Sequence, residues 1–124
     1  MAKVLVVDDS PTERHVLETM LVEAGFQVFQ SDSGEMGIEQ AKLIKPDIIL
    51  MDVVMPGLGG FQACRKLKTD TATQNIPVVM CTTKNQPTDK IWGMRQGASG
   101  YLTKPIERKS LLATIQECLA KGQV

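Results

Sequence analysis

The sequence predicts an α/β fold, a doubly wound five-stranded parallel sheet of strand order 2-1-3-4-5 with five helices. Two observations predict it. Short unbroken apolar runs rich in Val and Ile alternate five times with longer segments of helical periodicity. The runs lack polar interruptions, which is typical of strands covered by helices on both faces. Because each parallel crossover needs a helix and is right-handed, this alternation favours one sheet between two helical layers.

Composition limits the classes of function. The 124 residues, 43% of them hydrophobic, suit a single domain, which we expect to span residues 1–124 without an output domain. Lys plus Arg and Asp plus Glu both number 14, so we expect no nucleic-acid partner and no membrane insertion. Neither a signal-peptide layout nor a CxxC pattern among the three Cys is present, which favours free thiols and a cytoplasmic location.

The first two strand–helix units are marked by caps and breakers. Strand 1 is expected over residues 4–7 and strand 2 over residues 26–30. Ser10 and Pro11 are typical of the start of helix 1, and Ser33 of the start of helix 2. Gly25 and Pro46 are expected to end these helices. The predicted apolar faces are Val16, Leu17, Met20, Leu21 and Ala24 in helix 1, and Met36, Ile38, Ala41 and Ile44 in helix 2.

The remaining units follow the same alternation. Strand 3 is predicted over residues 47–51, strand 4 over 76–81 and strand 5 over 99–102. Helix 3 begins near Gly60, residues 68–75 read as a loop, and helix 4 covers residues 88–95. The predicted apolar positions of helices 3 and 5 are Phe61, Ala63, Cys64 and Leu67, and Leu111, Leu112, Ile115, Cys118 and Leu119.

Polar residues follow four of the five strands. Asp8 and Asp9 follow strand 1, Asp52 strand 3, Thr82 strand 4 and Lys104 strand 5. In this strand order the ends of strands 1 and 3 meet at the topological switch point, where ligands of open α/β sheets bind. We therefore expect these side chains to converge.

Three carboxylates in one cleft would raise one another's pKa unless a cation is present. Oxygen ligands without His or Cys favour Mg²⁺. With Lys104 as a positive charge and Thr82 as a hydroxyl donor, the set describes a pocket for a phosphoryl group carried by Asp52.

Each of these residues also has a purely structural explanation. An Asp-Asp pair stabilises a helix N-terminus, Thr82 and Thr83 suit a turn, and a Lys before Pro is usually a solvated charge. These separate explanations do not account for the position of all these residues at the ends of successive strands. That shared position favours a functional site.

The chain resembles a receiver domain of the two-component response regulators, which are CheY-like proteins with a flavodoxin-like fold. The resemblance covers almost the whole sequence in order. Within this family, residues 9–13 and 83–97 are similar to the PilH-type regulators of type IV pilus twitching motility. The motifs that carry the family resemblance are Val7–Ser10, Met51–Gly57, Thr82 and Gly97–Pro105.

The resemblance implies a role for each site residue. Asp52 would be the phosphoacceptor. Mg²⁺ would be held by the carboxylates of Asp9 and Asp52, by the backbone carbonyl of Val54, and by Asp8 through water. Thr82 and Lys104 would bind the phosphoryl group, with a cis Lys104–Pro105 bond, and Tyr101 would be the aromatic switch.

Val54 departs from the family pattern, because many relatives carry a polar or charged side chain at that position. Its branched side chain is expected to alter the rate of phosphate loss, and Lys84 borders the same entrance.

The resemblance also implies partners. A CheA-like histidine kinase would donate the phosphoryl group. This chain would accept it on Asp52 and would not itself be a turnover enzyme. A downstream protein would bind the face formed by helix 4, strand 5 and helix 5. Trp92 could lie on a binding surface or pack on its own sheet, and His15 is expected to be an ordinary surface residue.

Alternative functions remain within and outside this family. The chain could be a phosphate sink or a phosphorelay intermediate.

A haloacid dehalogenase-type phosphatase also uses an aspartyl nucleophile and Mg²⁺, but its nucleophile follows strand 1 in a D-x-D pattern, whereas this chain has Asp8-Asp9-Ser10 there. A flavin carrier would need a phosphate loop in place of Asp8-Asp9, and a purely structural module would not need Asp52 and Lys104 together.

Overall fold

A computed structural model describes residues 1–121 and confirms the predicted sheet. Five strands lie in the order β2-β1-β3-β4-β5, and every neighbouring pair is parallel. The strands are β1 (Lys3–Val7), β2 (Gln27–Ser31), β3 (Ile48–Met51), β4 (Val78–Thr82) and β5 (Gly100–Thr103). The helices are α1 (Pro11–Glu23), α2 (Gly34–Ile44), α3 (Gly60–Thr69), α4 (Pro87–Arg95) and α5 (Arg108–Lys121).

The hydrophobic core lies on both faces of the sheet. Alternate residues of each central strand point to opposite faces, so Leu5 and Val7 of β1 pack in one cluster and Val4 and Val6 in the other. The first cluster is closed by α2 and α3, and the second by α1 and α5. This double burial explains why the central strands read as unbroken apolar runs.

The predicted caps form as expected at the first two helices. The Ser10 hydroxyl accepts a hydrogen bond from the amide of Glu13, and the Ser33 hydroxyl accepts one from the amide of Met36. Helix α2 ends before Lys45, which adopts a left-handed conformation with φ of 51°. The capping residues therefore predicted where these two helices begin more accurately than the helical periodicity predicted which side chains they bury.

Two of the predicted apolar faces were partly wrong. Val16 of α1 is 42% exposed and Met36 of α2 is 49% exposed, and Ala24 is also exposed. Helix α2 instead buries Gly34, Gly37 and Ala41. A Cβ on Gly37 would lie only 2.8 Å from Cγ2 of Val7, so α2 packs too close to β1 for a large side chain on that face.

Several predicted boundaries shift by one or two residues. Strands 2 to 5 begin one or two residues later than expected, strands 2, 4 and 5 end one residue later, and β1 and α4 each begin one residue earlier. Helix α3 continues to Thr69, into the stretch predicted to be a loop. There the Lys68 ammonium donates hydrogen bonds to the carbonyls of Gln74 and Ile76, which ties the end of α3 to the loop that leads into β4.

The three cysteines are free and buried, as their spacing predicted. Burial raises the pKa of the Cys81 thiol to about 12 and that of Cys64 to about 11, so both are neutral thiols at ordinary pH. Within residues 1–121, none of the helices combines the length and the hydrophobicity needed to cross a bilayer.

Candidate functional site

The site lies where the carboxyl ends of β1, β3, β4 and β5 meet at one edge of the sheet. Hydrogen bonding between strands continues one residue beyond these ends and fixes the first loop residues. The amide of Asp52 donates to the carbonyl of Val7 over 2.9 Å, and the amide of Lys104 donates to the carbonyl of Thr82 over 2.8 Å. The functional side chains therefore start from rigid backbone.

The Lys104 ammonium is the centre of the site. Its Nζ lies 2.7 Å from Oδ2 of Asp8 and 3.6 Å from Oδ2 of Asp52. The side chains of Lys104, Asp8 and Asp52 are 10%, 2% and 11% exposed, respectively. One largely buried cation from the end of β5 therefore lies between two buried carboxylates from the ends of β1 and β3, and it offsets only part of their charge.

Burial and charge act in opposite directions on these groups. Burial raises the pKa of Asp52, and the nearby Asp8 carboxylate raises it further, while Lys104 opposes both. Burial alone would lower the pKa of Lys104, but the hydrogen bond to Asp8 and the charge of Asp52 outweigh it and raise that pKa. Lys104 therefore stays protonated, and its positive charge offsets only part of the effect that burial and Asp8 have on the pKa of Asp52.

The acidic cluster has the donor set that a hard divalent cation requires. Asp8, Asp9 and Asp52 each offer one carboxylate oxygen, and these oxygens all lie within 4.8 Å of one another. Asp8 and Asp52 are buried, whereas Asp9 is exposed at the rim. All the ligands offered are oxygens, and the three carboxylates carry more negative charge than Lys104 can balance. Both properties fit Mg²⁺.

Residues at the start of α1 hold Asp8, and the sequence had given them no role in the site. The amide of Ser10 donates to Oδ1 of Asp8 over 2.9 Å, and Nη1 of Arg14 donates to the Asp8 carbonyl over 2.6 Å. The Glu13 carboxylate lies 3.8 Å from the Lys104 ammonium. Glu13 lies on the first turn of α1, where the Ser10 cap places it, but no pattern in the sequence connected Arg14 to a backbone carbonyl.

Gly60 is a second residue that sequence reasoning did not connect to the site. A Cβ added there would lie 2.0 Å from the carbonyl oxygen of Asp52. Helix α3 therefore begins directly against the backbone of the central aspartate. The only sequence signal for this contact is that a glycine stands at the helix start.

Thr82 and its neighbour Thr83 lie in different surroundings at this edge of the sheet. Thr82 is fully buried at the end of β4, whereas Thr83 is exposed. The Thr82 hydroxyl accepts a hydrogen bond from the amide of Lys84 over 3.3 Å. The Tyr101 hydroxyl donates to the carbonyl of the same Lys84 over 2.8 Å, so Thr82 and Tyr101 meet at one loop residue.

The other predicted site residues lie around this centre. The amide of Val54 donates a 3.4 Å hydrogen bond to Oδ1 of Asp52, while its side chain is exposed. The Lys104–Pro105 peptide bond is cis. Trp92 is 51% exposed and borders a groove against α3, which favours a surface role over packing on its own sheet. His15 is an exposed residue of α1.

The sequence profile of the response regulator receiver domain matches residues 4–116. The chain belongs to this family. It is 54% identical over 120 residues to protein PilH of Pseudomonas aeruginosa, with 97% of this chain and 99% of PilH covered. It is 43% identical over 115 residues to response regulator PleD of Caulobacter vibrioides, with 93% of this chain but only 25% of PleD covered.

Solved structures of receiver proteins share the fold. Chemotaxis protein CheY4 of Vibrio cholerae superposes with a TM-score of 0.90 at 35% identity, covering 96% of this chain and 99% of CheY4. A putative response regulator from Chloroflexus aurantiacus gives a TM-score of 0.92 at 34% identity, covering 96% and 98%. These matches confirm the receiver resemblance and favour it over the dehalogenase-type phosphatase.

Proposed function

We propose that this chain is a phosphorylation-dependent switch in which Asp52 accepts a phosphoryl group from a histidine kinase. The observation that carries the proposal is the geometry around Lys104, whose ammonium lies within 3.6 Å of the Asp52 carboxylate at the end of β3. A cation held there by Asp8 can neutralise charge that develops on a phosphoryl group attached to Asp52. Membership of the receiver family supports the same role.

Mg²⁺ is the cofactor that this site fits. We propose that the carboxylates of Asp9 and Asp52 and the backbone carbonyl of Val54 hold the ion, with Asp8 contributing through water. When bound, the ion supplies positive charge that offsets the phosphoryl oxygens. The protein's own part is to hold these oxygens on the rigid ends of β1 and β3.

In the proposed transfer, an Asp52 carboxylate oxygen forms the new P–O bond while the P–N bond of the donor phosphohistidine breaks. The leaving imidazole takes up a proton. Lys104 and the Thr82 hydroxyl then bind the phosphoryl oxygens. Because Val54 is exposed beside Asp52 and Lys84 lies at the same entrance, these two side chains are proposed to set the rate at which water removes the phosphate.

The switch would operate through the contact between Lys84 and Tyr101. A phosphoryl group adds roughly −1.5 to −2 charge at Asp52 and attracts Thr82, whose hydroxyl is already bonded to the amide of Lys84. Any movement of Lys84 changes the Tyr101 hydrogen bond. The Tyr101 ring also lies against α4 at Gly93, so we propose that the face formed by α4, β5 and α5 binds the downstream protein.

The pathway is proposed from the relative of highest identity named above. At 54% identity to PilH over nearly the full length of both chains, we propose a role in type IV pilus motility signalling with a CheA-like kinase as donor. A phosphate sink or relay intermediate would use the same Asp52 chemistry. These roles differ in whether a downstream protein binds the phosphorylated form more tightly.

Trp92 provides a direct test of the proposed switch, because it is the only tryptophan of the chain and lies in α4 next to Gly93. Acetyl phosphate with Mg²⁺ is expected to change Trp92 emission in a saturable and reversible manner. The change should be absent in Asp52→Ala and after chelation of Mg²⁺. An equal change in Asp52→Ala would show that Asp52 is not the acceptor.

A further inference from the structure

A groove between α3 and α4 is not used by the phosphorylation site. It has a volume of about 550 Å³ and its apolar lining residues are Val53, Phe61 and Trp92. The Trp92 side chain is 51% exposed there, although a tryptophan gains considerable free energy from burial. An exposed aromatic side chain at the edge of a groove is a feature of binding surfaces.

The charged residues of this α3–α4 groove are all of one sign. Arg65 and Lys66 line it, no carboxylate does, and its other lining residues are uncharged. Within residues 1–121, neither cation lies within 4.0 Å of a carboxylate oxygen. In a chain with zero formal net charge, two unpaired cations beside an exposed tryptophan form a local site for negative charge.

The shape of the groove distinguishes between possible occupants. Its α3 wall includes Phe61, Arg65 and Thr69, which recur at four-residue spacing and span about 12 Å of helix. Trp92 of α4 and Gln96, the C-cap residue of that helix, have the same spacing. A long groove between two helices fits the apolar face of a third helix. Gly59 brings the N-terminus of α3 to the groove, but the amides of Gly59 and Gly60 already donate to the Gln62 side chain and to the Val53 carbonyl, which disfavours a phosphate there.

We propose that the α3–α4 groove is a docking surface for an acidic amphipathic helix of a partner protein. Apolar side chains of that helix would contact Phe61 and Trp92, and its carboxylates would pair with Arg65 and Lys66. This surface lies on the α3 side of α4, whereas the proposed readout face lies on its α5 side. The proposal does not depend on phosphorylation of Asp52.

The test uses three Trp-free 16-residue helical peptides that share one apolar face of Leu and Phe. All other positions are Glu in the first peptide, Gln in the second and Lys in the third. Titration is followed by Trp92 emission and by amide chemical shifts, without a phosphodonor. The Glu peptide is expected to bind most tightly and to shift amides of α3 and α4.

Charge reversal provides the matched control. The variant R65E/K66E is expected to bind the Glu peptide about tenfold more weakly and to gain affinity for the Lys peptide. The variant K109E/K121E changes the same number of exposed cations on α5 and is expected to bind as the parent does. The gain for the Lys peptide shows that R65E/K66E is folded.

Three results would overturn the proposal. One is equal affinity of the Glu peptide for the parent and for R65E/K66E. Another is a set of shifted amides confined to β5 and α5. The third is saturation of the Trp92 signal by adenosine 5′-monophosphate when no peptide binds, which would identify a nucleotide site in place of a helix-docking surface.

Discussion

Replacing Lys104 with methionine is expected to lower the free energy of unfolding by about 2 to 3 kcal/mol in the absence of Mg²⁺. Methionine keeps most of the apolar stem but removes the charge that lies 2.7 Å from Asp8 and 3.6 Å from Asp52. Two buried carboxylates would then repel each other without compensation. Urea unfolding followed by circular dichroism measures the change.

The control for this prediction is Lys104→Arg, which retains the positive charge and is expected to lose less stability than Lys104→Met. Added Mg²⁺ should restore part of the stability of Lys104→Met, because the ion would supply the missing positive charge between Asp8 and Asp52. If Lys104→Met were instead more stable than the parent protein, the cost of burying Lys104 would exceed the value of its ion pairs, and the electrostatic account of the site would be wrong.

Replacing Gly60 with alanine is expected to destabilise the protein by about 3 kcal/mol and to impair phosphorylation of Asp52. The added Cβ would lie 2.0 Å from the Asp52 carbonyl oxygen and 2.8 Å from Cα of Val53. Both are backbone atoms, so the contact cannot be relieved by a rotamer change. The end of β3 would have to move, and the Asp52 carboxylate would move with it relative to Lys104.

Gly59→Ala is the matched control, since a Cβ at this neighbouring position meets nothing closer than the Val53 carbonyl oxygen at 3.4 Å. Loss of glycine at the N-cap of α3 should cost less than about 1 kcal/mol and leave phosphorylation intact. Urea unfolding and the rate of phosphorylation by acetyl phosphate compare the two variants. Equal stability and rate for both would mean that Gly60 does not position Asp52.

The sheet and its order were predictable because patterns local to the chain determine them. Unbroken apolar runs such as residues 4–7 report burial on both faces, and the alternation with helices leaves few topologies. The helix faces were less predictable. Val16 and Met36 are apolar yet exposed, because the side of a helix that meets the sheet depends on how closely the backbones approach. The contact between Gly37 and Val7 sets that distance for α2, and it joins residues far apart in sequence.

In the site, too, features that follow from local patterns were predictable and features that depend on contacts between distant residues were not. Asp8, Asp52 and Lys104 could be predicted to converge, because each follows a strand whose place in the sheet was known from the topology. The contributions of Arg14 and Gly60 could not be predicted. Arg14 binds a backbone carbonyl, and Gly60 acts through the absence of a side chain, so neither leaves a charge or motif to recognise.

Whether Trp92 is a core residue or a surface residue could be decided only from the three-dimensional structure. In the sequence, a single tryptophan in a short helix is equally compatible with a core position and with a binding surface. The structure places it half exposed beside α3, where Arg65 and Lys66 also lie. That neighbourhood depends on how two helices sit on the sheet, which helical periodicity alone does not specify.

Asp52 is proposed to carry a phosphoryl group in a Mg²⁺-dependent manner. Mass spectrometry of the intact chain and its peptides, after incubation with acetyl phosphate and Mg²⁺, tests this proposal. The expected result is a single added phosphoryl group, labile to hydroxylamine, on the peptide that contains Asp52, and none in Asp52→Asn or without Mg²⁺. A stable phosphate elsewhere in the chain, or no adduct under conditions that phosphorylate another receiver domain, would contradict the account.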